Sequence, residues 1–153
     1  MKTEKTQLPV YEWILRIGVF GTFLGHGTLA LGVKPAWIPL ITAFGFSAET
    51  AAALLPWIGA FDIVVAFTVL LYPFRALLIW ATAWAFVAAL SRYIAGEPIP
   101  EFIEHTANWA APLALLCLQG FPKSVSDLWT VRLRKQAAAA VKKPSREEEI
   151  AFY

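Results

Sequence analysis

The chain has 153 residues, of which 58% are hydrophobic and 16% are charged, and its mean hydropathy is +0.58. Soluble domains carry about 45–50% apolar and about 25% charged residues, so this composition indicates a membrane protein. The single cysteine, Cys117, excludes an intrachain disulfide and a cysteine metal cluster. The formal net charge is only +2 and no nucleic-acid-reading motif is recognisable, so we expect no nucleic-acid partner.

Four apolar segments are long enough to cross a membrane, since a helix spanning about 30 Å of hydrocarbon needs about 20 residues. In chain order they cover about residues 13–31, 51–71, 74–95 and 102–121. They lack the alternating pattern of a transmembrane barrel, and Arg16 interrupts the first apolar run in a way that is not typical of a signal peptide. The predicted fold is an all-α membrane protein, with a four-transmembrane-helix bundle in residues 1–121 and a basic amphipathic tail in residues 122–153.

The basic residues predict that both termini are cytoplasmic, because Lys and Arg concentrate in cytoplasmic loops. Lys2, Lys5 and Arg16 flank the first span, and Arg75 lies between the second and the third. Seven of the thirteen basic residues follow Gly120, namely Lys123, Arg132, Arg134, Lys135, Lys142, Lys143 and Arg146. These three groups of basic residues, at the first span, at Arg75 and after Gly120, fall on one side in this topology. We therefore expect an integral, multi-pass protein, located in the bacterial cytoplasmic (inner) membrane.

Two segments outside the spans are predicted to lie at the membrane interface. Residues 32–50 form an apolar loop that contains Trp37, and tryptophan favours the interface. Ser47 at the end of this loop is placed to cap the second helix. After the fourth span, the stretch "SVSDLWTVRLRKQAAAAVKK" intersperses apolar with basic residues. It predicts an amphipathic cytoplasmic helix that binds anionic lipid.

Three glycines of the first span predict a packing seam. Gly18, Gly21 and Gly25 are three and four residues apart, so they share one side of a helix. Small residues at this spacing let a neighbouring helix backbone approach closely. We expect tight packing inside the bundle at this seam.

Polar side chains inside the spans are costly and normally face a bundle interior, where they pair or act. They occur in all four spans, as His26, Asp62, Arg92, Glu104, His105 and Asn108. At about 1.5 Å per residue, Asp62 lies about 16 Å into its span, near the midplane, and the others lie near the outer side. Glu104, His105 and Asn108 share one stripe of the fourth helix with Glu101, and Trp109 follows His105 by one turn.

Structural roles also explain several of these residues. Arg92 is placed to form an ion pair with Glu101 or Glu104, which would hold two helices together. Asp62 is within reach of Thr82 or Trp84 if the second and third spans pack as a hairpin, and a pairing there would satisfy its carboxyl group. His26 is the hardest to explain in this way, because it lies between two glycines well inside an apolar helix.

Two kinds of ligand suit this set of residues. A quinone needs a histidine or arginine for its carbonyl oxygen, a carboxylate for protons and aromatic walls for its ring. The two histidines, His26 and His105, also raise the alternative of a bis-imidazole haem b, and they would be the only metal ligands. The sequence contains no nucleophilic triad, phosphate-binding loop or zinc-binding motif.

Three stretches resemble the DoxX-like family of small four-helix membrane proteins. They are "LRIGVFGTFLGHGTLALG" in the first span, "FSAETAAALLPWIGAFDIVVAFTVLL" in the second, and "FIEHTANWAAPLALLCL" in the last. The resemblance covers about residues 13–121. It implies a four-helix membrane bundle, and the family's name-giving members are membrane subunits of a thiosulfate:quinone oxidoreductase. It also implies that His26, Asp62, Arg92 and the segment from Glu104 to Asn108 line a polar site.

These observations lead to one preferred function and two alternatives. The preferred hypothesis is a DoxX-like membrane subunit with an outer-leaflet pocket lined by His26, Asp62, Arg92, Glu104, His105, Asn108 and Trp109. The pocket would bind a quinone-type or other redox ligand for a larger electron-transfer complex, so the chain would be a subunit of a quinone-linked oxidoreductase. The alternatives are a non-catalytic structural subunit of a membrane complex and a haem b carrier. The expected partners are the lipid bilayer and a larger membrane complex or further copies of this chain.

Overall fold

The computed structural model describes residues 4–131, and within that range the only regular elements are helices. The helices are α1 (Glu4–Leu31), α2 (Ile38–Thr42), α3 (Ala48–Leu71), α4 (Arg75–Ile94), α5 (Ile99–Glu104) and α6 (Thr106–Gln119). Two short 3₁₀ turns, Pro35–Trp37 and Ser126–Trp129, precede α2 and follow α6. The basic residues of the predicted tail from Arg132 onward lie outside the described residues.

Three helices are long and apolar enough to cross a membrane. They are Val10–Leu31 within α1, the whole of α3 and the whole of α4, and they correspond to the first three predicted spans. The prediction of an all-helical protein with membrane-spanning helices is therefore confirmed to this extent. Ser47 caps α3 as predicted, because its hydroxyl oxygen accepts a hydrogen bond from the backbone N–H of Thr50 at 3.1 Å.

The fourth predicted span is not one continuous helix. It divides at His105 into α5 and the 14-residue α6, which is about 21 Å long and shorter than a hydrocarbon core of about 30 Å. The His105 ring nitrogen Nδ1 lies 2.6 Å from the carbonyl oxygen of Glu101, and the Thr106 hydroxyl donates to the carbonyl of Ile103. These side chains occupy carbonyls of the last turn of α5, so the helix is interrupted there. The predicted stripe from Glu101 to Asn108 is therefore split between two helices.

The helices do not pack in chain order. α1 packs along the length of α3, α4 packs along α6, and α1 and α6 join the two pairs, whereas α3 and α4 make few contacts. Aromatic side chains lie between these two helices: the rings of Phe61 and Trp80 meet edge to face with centroids 4.8 Å apart. The core is formed by buried side chains that include Val19, Val65 and Leu115. A space consequently remains between the α1–α3 pair and the α4–α6 pair.

The closest helix crossing is at different glycines from those predicted. Gly18, Gly21 and Gly25 are exposed, and a Cβ atom added to any of them would have nothing within 4 Å. The close approach is between Gly27 of α1 and Gly59 of α3, which are both buried. A Cβ at Gly59 would lie 2.5 Å from the Gly27 carbonyl oxygen. The seam prediction was wrong because spacing reveals which residues share a face but not which face meets a neighbour.

We call the end of the bundle at which α1 ends and α3 begins the cavity end, and the opposite end the tail end. At the tail end, the buried Arg75 donates to the carbonyl oxygens of Gln119 at 2.6 Å and Gly120 at 2.7 Å. It also donates to the Asp127 carbonyl at 3.3 Å and the Thr130 hydroxyl at 2.9 Å. Arg75 therefore fixes the segment after α6 against α4. The described start of the tail is a 3₁₀ turn rather than the predicted amphipathic helix.

A second buried charged group lies nearby at the tail end. Arg16 forms an ion pair with Glu12, one turn earlier on α1, and donates to the carbonyl of Leu70 at the end of α3 at 3.2 Å. Glu12 is only 4% exposed. Arg16 therefore joins two helices, in addition to the topological role that the sequence assigned to it.

Candidate functional site

A cavity of about 420 Å³ lies between the two helix pairs at the cavity end. Its volume is within the range of about 300–1,000 Å³ that small-molecule sites occupy. Most of its lining is apolar, with Phe23 from α1, Leu55 and Ile58 from α3, and Ala85 from α4 among the residues that form it. Five of the seven predicted site residues also line it, namely His26, Asp62, Arg92, His105 and Asn108.

His26 projects from α1 into the cavity. Its Nδ1 lies 2.8 Å from the carbonyl oxygen of Thr22, one turn earlier on the same helix. Because a carbonyl oxygen only accepts, this nitrogen carries a hydrogen, and in the neutral ring Nε2 keeps a free lone pair. The imidazole stacks on the indole of Trp37, with centroids 5.5 Å apart and planes inclined by 17°. The ring is thus fixed by one hydrogen bond and one stacking contact.

His105 reaches the same cavity from the break between α5 and α6. Its Nδ1 is held by the Glu101 carbonyl, so Nε2 is again the free nitrogen. The ring centroids of His26 and His105 are 6.4 Å apart, and the planes are inclined by 72°. The break that interrupts the fourth predicted span therefore places a second imidazole beside the first.

Asp62 is buried, with 5% of its surface exposed. Its oxygen Oδ1 has no hydrogen-bond partner among the described residues, and the Trp84 side chain is the polar group beside the carboxyl. The hydroxyl of Thr82 donates instead to the Leu78 carbonyl, so Thr82 is not the partner of Asp62. A Cβ at Gly27 would lie 3.2 Å from the Cβ of Asp62, which places the carboxyl level with His26 rather than deeper.

That position corrects the predicted depth of Asp62. The prediction counted residues from the start of the second span, as if all spans began at one plane. However, Gly59 of α3 lies beside Leu31, the last residue of α1, so the first eleven residues of α3 extend beyond the end of α1. His26 and Asp62 consequently face one cavity at the same height.

Arg92 lies near the end of α4 and contributes a positive charge to the cavity. Its Nη1 donates to Glu97 Oε2 at 3.0 Å, so its ion pair is with Glu97 and not with Glu101 or Glu104 as predicted. The pair is partly exposed, with side-chain exposures of 16% and 32%. The loop after α4 turns back at Gly96, whose φ of +90° brings Glu97 close to the arginine.

Two of the predicted site residues do not line the cavity. The side chain of Glu104 is 63% exposed, and its Oε1 lies 3.5 Å from Nδ1 of His105. Trp109 points to the other side of α6, where its ring meets Phe86 edge to face with centroids 5.7 Å apart. It does not stack on His105. The predictions for Glu104 and Trp109 assumed one continuous helix, but the helix is interrupted at His105.

Sequence reasoning missed one wall of the cavity. The 3₁₀ turn Pro35–Trp37 and the following α2 lie at the cavity end, where α2 contacts both α3 and α4. Four apolar side chains of this segment face the cavity: Trp37, Leu40, Ile41 and Phe44. The sequence placed this loop at the membrane interface but did not assign it to the site. Its apolar composition over a long loop was the available signal. This wall closes the space that the poor contact between α3 and α4 leaves open.

The donor set limits the chemistry of the cavity. No group of three or more His, Cys, Asp or Glu side chains within residues 4–131 is arranged to hold a metal ion. The polar side chains that line it include two imidazoles, one carboxyl, one guanidinium and one amide, together with the hydroxyls of Thr22 and Ser91 and the indoles of Trp37 and Trp84, in a mainly apolar enclosure. Such an arrangement suits an organic ligand with a small polar ring and an apolar body.

The fold and the cavity define an all-helical protein with three helices able to cross a membrane and a small-molecule-sized cavity at one end. No protein-family model matches the chain, and no curated protein or solved structure matches it.

Proposed function

We propose that the protein is a DoxX-like integral membrane subunit whose cavity binds a quinone-type redox ligand for a larger electron-transfer complex. The observation that carries the proposal is the convergence of His26, Asp62, Arg92, His105 and Asn108 on one mainly apolar cavity. Ionisable groups are costly in a membrane protein unless they pair or act. Most of these groups keep at least one polar atom without a hydrogen-bond partner among the described residues, which suits a polar ligand head group.

The apolar walls of the cavity support a lipid-soluble ligand. α3 and α4 make few contacts, and the cavity lies between them. The α2 segment forms its outer wall through apolar side chains, and Trp57 of α3 is 77% exposed toward the surroundings of the bundle. A ligand with an isoprenoid or similar apolar tail would keep that tail among these side chains and in the hydrocarbon.

The proposal includes four membrane spans with both termini in the cytoplasm. α5 and α6 together would form the fourth span as a broken helix, since they add about 9 Å and about 21 Å of helix length. The exposed Lys123 at the tail end supports the cytoplasmic location of that end. The cavity would then open toward the outer leaflet.

Cysteine labelling tests this orientation. In a Cys117→Ser background, we expect Ala36→Cys to react with a membrane-impermeant maleimide on intact cells, because residue 36 is exposed at the cavity end. Lys123→Cys is exposed at the tail end, and we expect it to react only after the cells are permeabilised. The reverse pattern would show that the cavity faces the cytoplasm.

Co-extraction of quinone tests the ligand. The protein is purified in mild detergent, and the lipids extracted from it are separated by chromatography and quantified for quinone per mole of protein. We expect retained quinone in the wild type and an at least fivefold decrease in His26→Ala, since removal of a buried hydrogen-bond partner costs about 1–3 kcal/mol. Glu104→Ala is the matched control, because that side chain is exposed and outside the cavity. Equal quinone in all three proteins would contradict the proposal.

A haem b carrier is the second candidate, and the two histidines favour it. Both Nδ1 atoms are bonded to backbone carbonyls, which is the orientation that metal-ligating histidines commonly have. Haem bound between Nε2 of His26 and Nε2 of His105 would give a Soret band in the purified protein, and we expect His105→Ala to abolish it. A colourless protein that retains quinone would favour the first candidate. Absence of both, with co-purification of a large partner, would favour a structural subunit.

A further inference from the structure

Among the described residues, both hydrogen-bond acceptors and hydrogen-bond donors of the cavity lack a protein partner. Nε2 of His26 and Nε2 of His105 have no hydrogen bond within residues 4–131, and each is an acceptor in the neutral ring because Nδ1 donates to a carbonyl. Asp62 Oδ1 is a further buried oxygen, and it has no hydrogen-bond partner among the described residues. Acceptor atoms therefore come from α1, from the α5–α6 break and from α3.

Donors face the same space from the remaining walls. Arg92 uses Nη1 for Glu97, and its other N–H groups have no hydrogen bond within the described part of the chain. The Asn108 amide also has no side-chain hydrogen bond there, and it lines the cavity from α6. A ligand group that only accepts would pair with these donors and leave the imidazole acceptors unpaired. A buried polar group left without its partner costs about 1–3 kcal/mol.

A hydroxyl group satisfies both sets, because it donates one hydrogen bond and accepts others, whereas a carbonyl oxygen only accepts. We infer that the cavity prefers the reduced, hydroxyl-bearing form of its ligand, a quinol, to the corresponding quinone. This inference rests on the proposed function and concerns which redox form the site binds. In this arrangement an imidazole accepts the quinol O–H, and Arg92 or Asn108 donates to the same oxygen.

A competition experiment at pH 8 tests the preference. The protein in lipid nanodiscs is incubated without oxygen with equal amounts of a short-chain benzoquinone and its quinol, and empty nanodiscs give the background. After chromatography, the ratio of the two forms in the protein fraction is measured. We expect about tenfold more quinol than quinone, since a factor of ten corresponds to the loss of about one hydrogen bond to a buried group.

Variants separate the preference from binding in general. His26→Leu and His105→Leu remove the acceptors but keep apolar volume, and we expect each to bring the bound ratio toward one. Glu49→Gln changes an exposed carboxylate in the first turn of α3 that does not line the cavity, so its ratio should equal that of the wild type. Equal binding of quinol and quinone by the wild type would overturn this inference and leave the proposed function standing. Binding of neither form above empty nanodiscs would overturn the proposed function itself.

Discussion

Replacement of Gly59 by alanine is expected to lower the thermal midpoint of the protein by about 2–12 °C. The added Cβ would lie 2.5 Å from the carbonyl oxygen of Gly27 and 2.6 Å from the backbone nitrogen of Leu31. Both are backbone atoms, which cannot rotate away as a side chain can, so α1 and α3 would have to separate. Overpacking of this kind costs about 1–3 kcal/mol, and in a domain of this size each kcal/mol shifts the midpoint by about 2–4 °C.

Gly25→Ala is the matched control for Gly59→Ala. Both glycines lie inside long helices, but a Cβ at Gly25 would have nothing within 4 Å. Alanine is favoured over glycine in a helix interior by about 0.5–1 kcal/mol, so this variant should be unchanged or slightly more stable. The measurement is the loss of the monodisperse chromatographic peak on heating in detergent. Equal destabilisation by the two variants would show that α1 and α3 do not cross at Gly27 and Gly59.

Replacement of Arg75 by alanine is expected to destabilise the protein by about 3–5 kcal/mol and to release the segment after α6. The side chain is 5% exposed and donates to the carbonyl oxygens of Gln119, Gly120 and Asp127. Hydrogen bonds to charged groups contribute about 1.5–3 kcal/mol, and the carbonyls would lose their partner in a buried setting. Thermal unfolding measures the first effect. Faster tryptic cleavage at Lys123 in the folded protein measures the second.

Two variants define what Arg75 contributes. Arg75→Lys keeps the charge but replaces the planar fork of donors with one ammonium group, so we expect it to recover only part of the stability. Lys123→Ala removes an exposed charge from the same end of the bundle and should leave the midpoint unchanged. If Arg75→Lys were as stable as the wild type, charge alone would account for the role of Arg75, and the fourfold hydrogen bonding would be unimportant.

Hydropathy predicted the first three spans because the length and apolar content of a crossing helix are properties of the segment alone. It did not predict the break in the fourth, because that break depends on side-chain hydrogen bonds from His105 and Thr106 to the last turn of α5. Such bonds compete with the helix locally without changing its mean hydropathy. The same break explains why Glu104 and Trp109 lie outside the cavity.

The way the helices pack against one another was the other feature that the sequence could not predict. The sequence identified His26, Asp62, Arg92, His105 and Asn108 as unusual, and all five line the cavity. It misjudged the height of Asp62 because the offset between α1 and α3 is set by their crossing at Gly27 and Gly59. It also paired Arg92 with the wrong glutamate. The correct partner, Glu97, depends on the sharp turn at Gly96.

The pairing of the helices has a consequence for the order in which the molecule assembles. α3 and α4 follow each other in the chain, yet each has its main interface with another helix, α1 in one case and α6 in the other. The synthesis of α4 therefore adds little packing until α6 has also been synthesised. Because α6 packs against both α4 and α1, the cavity between the two helix pairs forms only when α6 is in place.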